Sequence, residues 1–215
     1  VNVLYLHQHF ATREGAGGTR SYEFARHLLR NGHQVTMVTG HRQAGGVEDV
    51  RHQKIDGIDV VSLGGHYSNH LTPRQRIREF LRFMWRASVI RDLPVRPDVV
   101  IATSTPLTIG IPGWILAKRY NVPFVFEVRD LWPQAPIELG ALRNPAAVWV
   151  ARRLERWLYR VANHIIPLSP GMERGVLEGG AAPEKVTTIP NASDIDLFNP
   201  THRDRSLLDE FGVDA

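Results

Sequence analysis

The segment Phe124-Val125-Phe126-Glu127-Val128-Arg129-Asp130-Leu131-Trp132-Pro133 sets two carboxylates and a guanidinium at the end of an apolar run. A buried strand there delivers Glu127, Arg129 and Asp130 to its carboxyl end, where a charge needs a partner or water. Two readings follow. The charges form a structural Arg–carboxylate pair that caps the next helix, or they aim an acid and a cation at a crevice. In the second reading Arg129 grips a phosphate bidentately. Asp130 then accepts a hydrogen bond from a sugar hydroxyl, and Glu127 orients Arg129.

Three other loops carry polar groups of the right type. Glu14-Gly15-Ala16-Gly17-Gly18-Thr19-Arg20 lies between the first apolar run and the first helical stretch. Glycine lets backbone approach a ligand closely, and a helix N-terminus favours a phosphate. The third glycine of a dinucleotide fingerprint and the lysine of a P-loop are both missing, so a plain tight turn is the alternative. In Thr103-Ser104-Thr105-Pro106, Thr105 suits an N-cap and Pro106 the first helical turn, with Ser104 and Thr105 as candidate ligand contacts. Ser169 before Pro170 reads the same way: a cap first, a ligand contact second. His7 and His9 flank the end of the first strand and read as structural. The ten histidines show no His-Glu-x-x-His spacing.

The charge is unevenly spread. Residues 1–97 hold 14 basic and 8 acidic residues, net +6, while 98–215 hold 12 and 14, net −2. The excess sits in Arg74 to Arg96, with seven arginines against Glu79 and Asp92. Arg78, Arg82 and Arg86 repeat every four residues and form one stripe, with Ile77, Leu81, Met84 and Ser88 on another face. This suits a helix lying on anionic lipid, each basic residue adding about 1 kcal/mol. It equally suits a helix whose apolar face packs on a sheet, and both hold if different faces serve each.

These loops are placed by alternating apolar strands and helical stretches. Strands are expected at 3–6, 34–39, 58–63, 98–102, 122–127, 164–168 and 186–189, and helices at 19–31, 107–120, 145–162 and 170–178. A polar loop with Gly45, Gly46 and Gly57 fills the gap before residue 58. Apolar runs without strict alternation, separated by helices, mean a parallel sheet covered on both faces. Right-handed crossovers make it a doubly wound, Rossmann-like α/β domain, which binds ligands beyond the carboxyl ends of its strands. Composition is that of a globular protein: 43% hydrophobic, 22% charged, no cysteine. Disulfides and thiolate metal sites are excluded, and no apolar run is long enough to span a bilayer. The first residues lack the basic start of a signal peptide. Ser206 to Gly212 begins like a new amphipathic helix, so the expected division is an N-terminal domain over 1–200 and the start of a second unit over 201–215.

Taken in order, several motifs resemble the N-terminal domain of family 4 glycosyltransferases. They are Gly17-Gly18-Thr19-Arg20 leading into Glu23-Phe24-Ala25-Arg26-His27-Leu28, then Gly32-His33-Gln34-Val35-Thr36, Glu127 to Pro133, Leu168-Ser169-Pro170-Gly171-Met172 and Ile189-Pro190-Asn191-Ala192. Their order and spacing, more than any one of them, carry the resemblance, which is nearest to bacterial enzymes of capsule, O-antigen and colanic-acid assembly. The resemblance implies one half of a GT-B fold, in which this half holds the acceptor. A missing C-terminal GT-B domain binds the nucleotide sugar, and residues 191–200 approach the hinge. It implies retention of configuration, with the acceptor hydroxyl attacking from the leaving-group face. Two positions depart from the family. Many members have His-Asp where this chain has Arg129-Asp130, and a guanidinium cannot act as a base. The usual Pro-Asn-Gly is Pro190-Asn191-Ala192.

The expected function is therefore sugar transfer, of hexosyl or N-acetylhexosaminyl type, from a nucleotide-diphospho-sugar to a lipid-linked saccharide. Gly17, Gly18 and Thr19 would meet the donor diphosphate, and Asp130 the acceptor, with Ser104, Thr105 and Ser169 on the acceptor side. Arg78, Arg82 and Arg86 would face an anionic membrane, placing the protein in the cytoplasm, peripheral at the inner membrane face. No cofactor and no metal are expected, and this fragment alone is expected to be inactive. Rival readings are a nucleotide-sugar 2-epimerase of the same fold and a non-catalytic module that binds a phosphorylated ligand. Nucleic acid is not an expected partner, since few aromatics interleave the arginines and no recognition motif is present.

Overall fold

The computed structural model describes residues 1–15, 17–40, 50–65, 71–140, 142–192 and Glu210. The expected helix over 206–212, the bulk of the expected second unit and the hinge over 193–200 lie outside them. Seven strands form one sheet: β1 (Asn2–Leu6), β2 (Gln34–Gly40), β3 (Val50–Ile55), β4 (Ile58–Leu63), β5 (Val99–Thr103), β6 (Phe124–Val128) and β7 (His164–Pro167). Their order across the sheet is β3-β4-β2-β1-β5-β6-β7. All pairs are parallel except β3 with β4. The helices are α1 (Arg20–Arg30), α2 (Pro73–Val89), α3 (Gly110–Tyr120), α4 (Gln134–Glu138), α5 (Pro145–Val161) and α6 (Pro170–Glu178). This is the expected Rossmann-like α/β sheet.

Alternation along the strands fills two cores. Leu4 and Leu6 of β1 point to one side, where Phe83, Ala87, Leu116, Phe124, Phe126 and Leu158 are buried. Val3 and Tyr5 point to the other, against Tyr22 and Ala25 of α1 with Met37 and Val60. The first side is roofed by α2 on α3 and α3 on α5. Close approach there needs glycine: a Cβ on Gly113 would stand 2.6 Å from Phe124 Cε2. Each fully buried Leu or Phe contributes about 1.5–3 kcal/mol.

Two expectations need correction. Part of the loop expected before residue 58 is strand β3, paired antiparallel with β4 through a two-residue turn. Asp56 and Gly57 both have positive φ, 48° and 87°, as a hairpin turn of this length requires. The strand is polar because it is an edge: residues 50–54 are exposed. Conversely, no strand forms at 186–189. Only Val186 makes a bridge, to Ile165, while Thr187 and Ile189 donate backbone hydrogen bonds to Ile165 and Pro167 of β7.

Helix α2 also differs in its facing. Phe83, Ala87 and Ile90 turn to the sheet. Ile77, Leu81, Trp85 and Val89 turn to solvent, 57%, 47%, 67% and 48% exposed. Arg78 and Arg82 are exposed beside them, whereas Arg86 is half-buried and donates from Nη1 to Gly64 O at 2.6 Å. No helix among the described residues is long and apolar enough to cross a membrane.

In α5, burial raises the Glu155 carboxyl to about 7, partly offset by a hydrogen bond from the Tyr159 hydroxyl. An acid whose pKa is raised on folding gives stability that is present at low pH and lost as pH rises through about 4.5 to 7. Glu155→Gln is therefore expected to flatten the fall in melting temperature between pH 4.5 and 7.5. Unchanged pH dependence in calorimetry would remove Glu155 from that titration.

Candidate functional site

The polar groups converge on the carboxyl rim of the sheet. There His7, His9, Gly17, Gly18, Thr105, Arg129, Asp130, Leu168 and Asn191 line an open pocket of about 290 Å³. His7 and His9 follow β1, Thr105 follows β5, Arg129 and Asp130 follow β6, and Leu168 follows β7. This is where a doubly wound sheet places its ligands. Gly17 and Asp130, far apart in sequence, share this one pocket.

Arg129 is held on three sides. Its backbone N–H donates to Ser104 Oγ at 3.1 Å. Its Nη1 lies 3.3 Å from His7 Nε2. A guanidinium only donates, so His7 Nε2 accepts and the ring hydrogen sits on Nδ1, 2.6 Å from Ser21 Oγ. On the third side Gly18 leaves room: a Cβ there would stand 2.8 Å from Arg129 Nη2. The glycine loop thus seats the guanidinium. Asp130 is exposed on the rim and accepts a hydrogen bond from Thr105 Oγ1.

Glu127 does not orient Arg129, and this corrects the expected pairing. The strand ends at Val128 and the chain bends at Arg129, which carries the guanidinium away from Glu127. Glu127 is 1% exposed and pairs instead with Arg20, whose Nε donates to Oε1 at 2.8 Å. Tyr5 Oη donates to Glu127 Oε2 at 3.0 Å, and Thr103 Oγ1 donates to the same oxygen at 2.6 Å. Burial, then the Glu127 charge, holds the Tyr5 phenol well above its ordinary range. Glu127 is a structural anchor beneath the pocket.

The remaining expected contacts divide. Thr105 lines the pocket, and Ser104 is buried behind it. Ser169 caps α6, its Oγ accepting from Met172 N at 3.2 Å. Thr19 is the N-cap of α1 without a side-chain bond. Three lining residues read otherwise from sequence: His7 and His9 as structural, Asn191 as the approach to the hinge. Their signal was position, His7 and His9 beyond the end of the central strand and Asn191 in the segment that follows β7's neighbour Val186. Among the described residues no group of three or more His, Cys, Asp or Glu side chains is placed to hold a metal ion.

Residues 15–192 match the sequence profile of the glycosyl transferase 4-like domain. No curated protein matches the chain in sequence. Among solved structures, HepE from Anabaena in complex with UDP and glucose superposes with a TM-score of 0.55 at 19% identity, over 98% of this chain and 50% of its own. Sucrose-phosphate synthase from Thermosynechococcus elongatus gives 0.69 at 15% identity, over 99% and 53%. A protein from Listeria monocytogenes assigned as a UDP-N-acetylglucosamine 2-epimerase gives 0.55 at 12%, over 98% and 51%. The chain spans about half the length of these structures, and at such identities the likeness shows the fold alone.

Proposed function

This chain belongs to the glycosyl transferase 4-like domain family, and we propose that it is the acceptor-side half of a two-domain GT-B glycosyltransferase. The enzyme moves a hexosyl or N-acetylhexosaminyl group, with retention, from a nucleotide-diphospho-sugar to a lipid-linked saccharide. The product serves a cell-surface polysaccharide of the capsule, O-antigen or colanic-acid kind. A following domain, beginning near residue 201, binds the donor. The observation that carries this reading is the convergence of Gly17, Gly18, Arg129 and Asp130 on one pocket at the sheet's carboxyl rim.

Each group has a task in that reading. On domain closure the backbone of Gly17, Gly18 and Thr19 approaches the donor diphosphate. Arg129, fixed by His7 and Ser104, offsets the negative charge that grows on the leaving group, the type of effect that dominates polar catalysis. Asp130 accepts from the acceptor hydroxyl and turns it toward the sugar, while the departing phosphate oxygen takes its proton. No step calls for a metal.

The acceptor is presented at the cytoplasmic face of an anionic membrane by α2. Leu81 and Trp85 point outward beside Arg78 and Arg82. Phe80 of the same helix meets His9 of the pocket edge-on, ring centres 6.2 Å apart. A lipid tail under α2 therefore leads its saccharide to the pocket. Burying one such apolar side chain contributes about 1.5–3 kcal/mol, and each arginine near the surface about 1 kcal/mol.

The test is sugar transfer by the two-domain enzyme from a panel of nucleotide sugars, with lipid-linked saccharides in vesicles containing phosphatidylglycerol. Labelled lipid product with the donor's anomeric configuration is expected. Conversion of the nucleotide sugar to its C2 epimer without acceptor would make the enzyme an epimerase. The double variant Leu81→Glu/Trp85→Glu is expected to lose at least tenfold in rate on vesicle-bound acceptor and to stay within about twofold on a short water-soluble one. An equal fall on both acceptors would refute membrane presentation by α2.

A further inference from the structure

Arg20 follows the glycine loop directly, opens α1, and is 8% exposed. Its guanidinium faces two ways. Inward, Nε donates to Glu127 Oε1 at 2.8 Å. Outward, Nη1 donates to Pro190 O at 2.7 Å and Asn191 Oδ1 at 3.2 Å, and Nη2 donates to Ile189 O at 2.7 Å. The Phe24 ring lies 4.3 Å from its central carbon. Glu127 is in turn held by Tyr5 of β1 and Thr103 of β5. One side chain therefore bolts three consecutive residues of the segment after β7 to the centre of the sheet.

Up to Ile189 that segment has other ties: Thr187 Oγ1 pairs with His164 Nε2 at 2.8 Å, and Thr188 Oγ1 donates to Glu173 Oε2. Thr187 and Ile189 donate to Ile165 O and Pro167 O at 3.1 and 3.0 Å. Pro190 has no N–H to give. Beyond Ile189 the described tether is Arg20, and Asn191 at its end is part of the pocket wall. We infer that Arg20 is a positioning residue: it fixes the direction in which the chain leaves this domain, and so sets how the following domain faces the pocket. The inference rests on the two-domain reading above. A fork of donors in one plane is needed to reach a carboxylate on one side and three oxygens on the other, which a lysine ammonium cannot span. Arg20 adjoins Thr19, so the same residue links the end of the glycine loop to the exit segment.

The test uses the double variant Arg20→Met/Glu127→Gln in the two-domain enzyme. It removes both buried charges together and leaves neither orphaned, so the fold is retained. Expected are a cooperative melt, at least tenfold faster amide exchange at Ile189, and wild-type protection in β6. The dissociation constant for the nucleotide sugar is expected to stay within twofold, while kcat falls at least thirtyfold, as misplacement of reacting groups by an ångström does. Arg20→Lys with Glu127 kept is expected to show the same split between binding and turnover. Wild-type kcat in the double variant overturns the inference, as does wild-type exchange at Ile189. Should the wild-type enzyme transfer no sugar, the functional reading fails on its own account and exchange at Ile189 still decides the tether.

Discussion

Asp130→Asn is expected to lower turnover of the two-domain enzyme about a hundredfold while leaving nucleotide-sugar affinity within about twofold. The reason lies in the arrangement at the rim. Asp130 already accepts from Thr105 Oγ1, which fixes the carboxylate plane. In the proposed reaction the second oxygen meets the acceptor hydroxyl. Asparagine keeps the shape but offers one oxygen; when that stays on Thr105, an NH2 faces the acceptor and donates where acceptance is needed. In the proposed function the donor sits mainly on the following domain, so its affinity is expected to be spared. Thr105→Val, which frees the carboxylate to rotate, is expected to cost about tenfold, less than loss of the acceptor atom itself. Single-turnover and binding measurements on the two variants separate these effects. Near-normal turnover of Asp130→Asn would leave Asp130 without a part in the reaction.

Glu127→Ala is expected to be the most destabilising single change in the pocket floor, by about 3–5 kcal/mol. It strands the Arg20 cation, 8% exposed, and takes the acceptor from the Tyr5 and Thr103 hydroxyls, all inside the sheet's edge-on stack. For a domain of this length each kcal/mol moves the melting temperature by roughly 2–4 °C, so a drop on the order of 10 °C follows. Glu127→Gln, which keeps an oxygen for both hydroxyls, is expected to lose less. Thermal and urea denaturation measure both. A loss below about 1 kcal/mol for the alanine variant would mean that water reaches Arg20.

The sheet and its rim were legible in the sequence because apolar runs and helix caps are local signals. Pro170 after Ser169 and Pro145 after Asn144 mark helix starts where the structure has them. Strand β3 was not legible by hydrophobicity, since an edge strand exposed along its length has no apolar face to show. The Asp56-Gly57 pair was its better signal. The partner of Glu127 was hidden for a different reason. Residues i and i+2 of a strand share a face, which favours Arg129, but the strand stops one residue too soon. Arg20 then takes the position from 107 residues away, and nothing local in a sequence encodes a contact of that range. Which apolar face of α2 meets the sheet stayed open in the sequence because the outward ridge has the same periodicity as the buried face; only the position of the sheet distinguishes them.

The short bridge between Ile165 and Val186 has a consequence for how the protein behaves at high concentration. An open sheet has two borders where another molecule's strand can add on. At β3 the border carries Arg51, His52, Gln53 and Lys54, all exposed, and such polar and charged side chains disfavour an added strand. At β7 the strand is four residues of mainly apolar type, His164-Ile165-Ile166-Pro167, with no such charge. What covers it is the run from Val186 to Ile189, the stretch just before the Arg20 clamp. Loosening that clamp is expected to bare an apolar border, and self-association over days of storage would report on it.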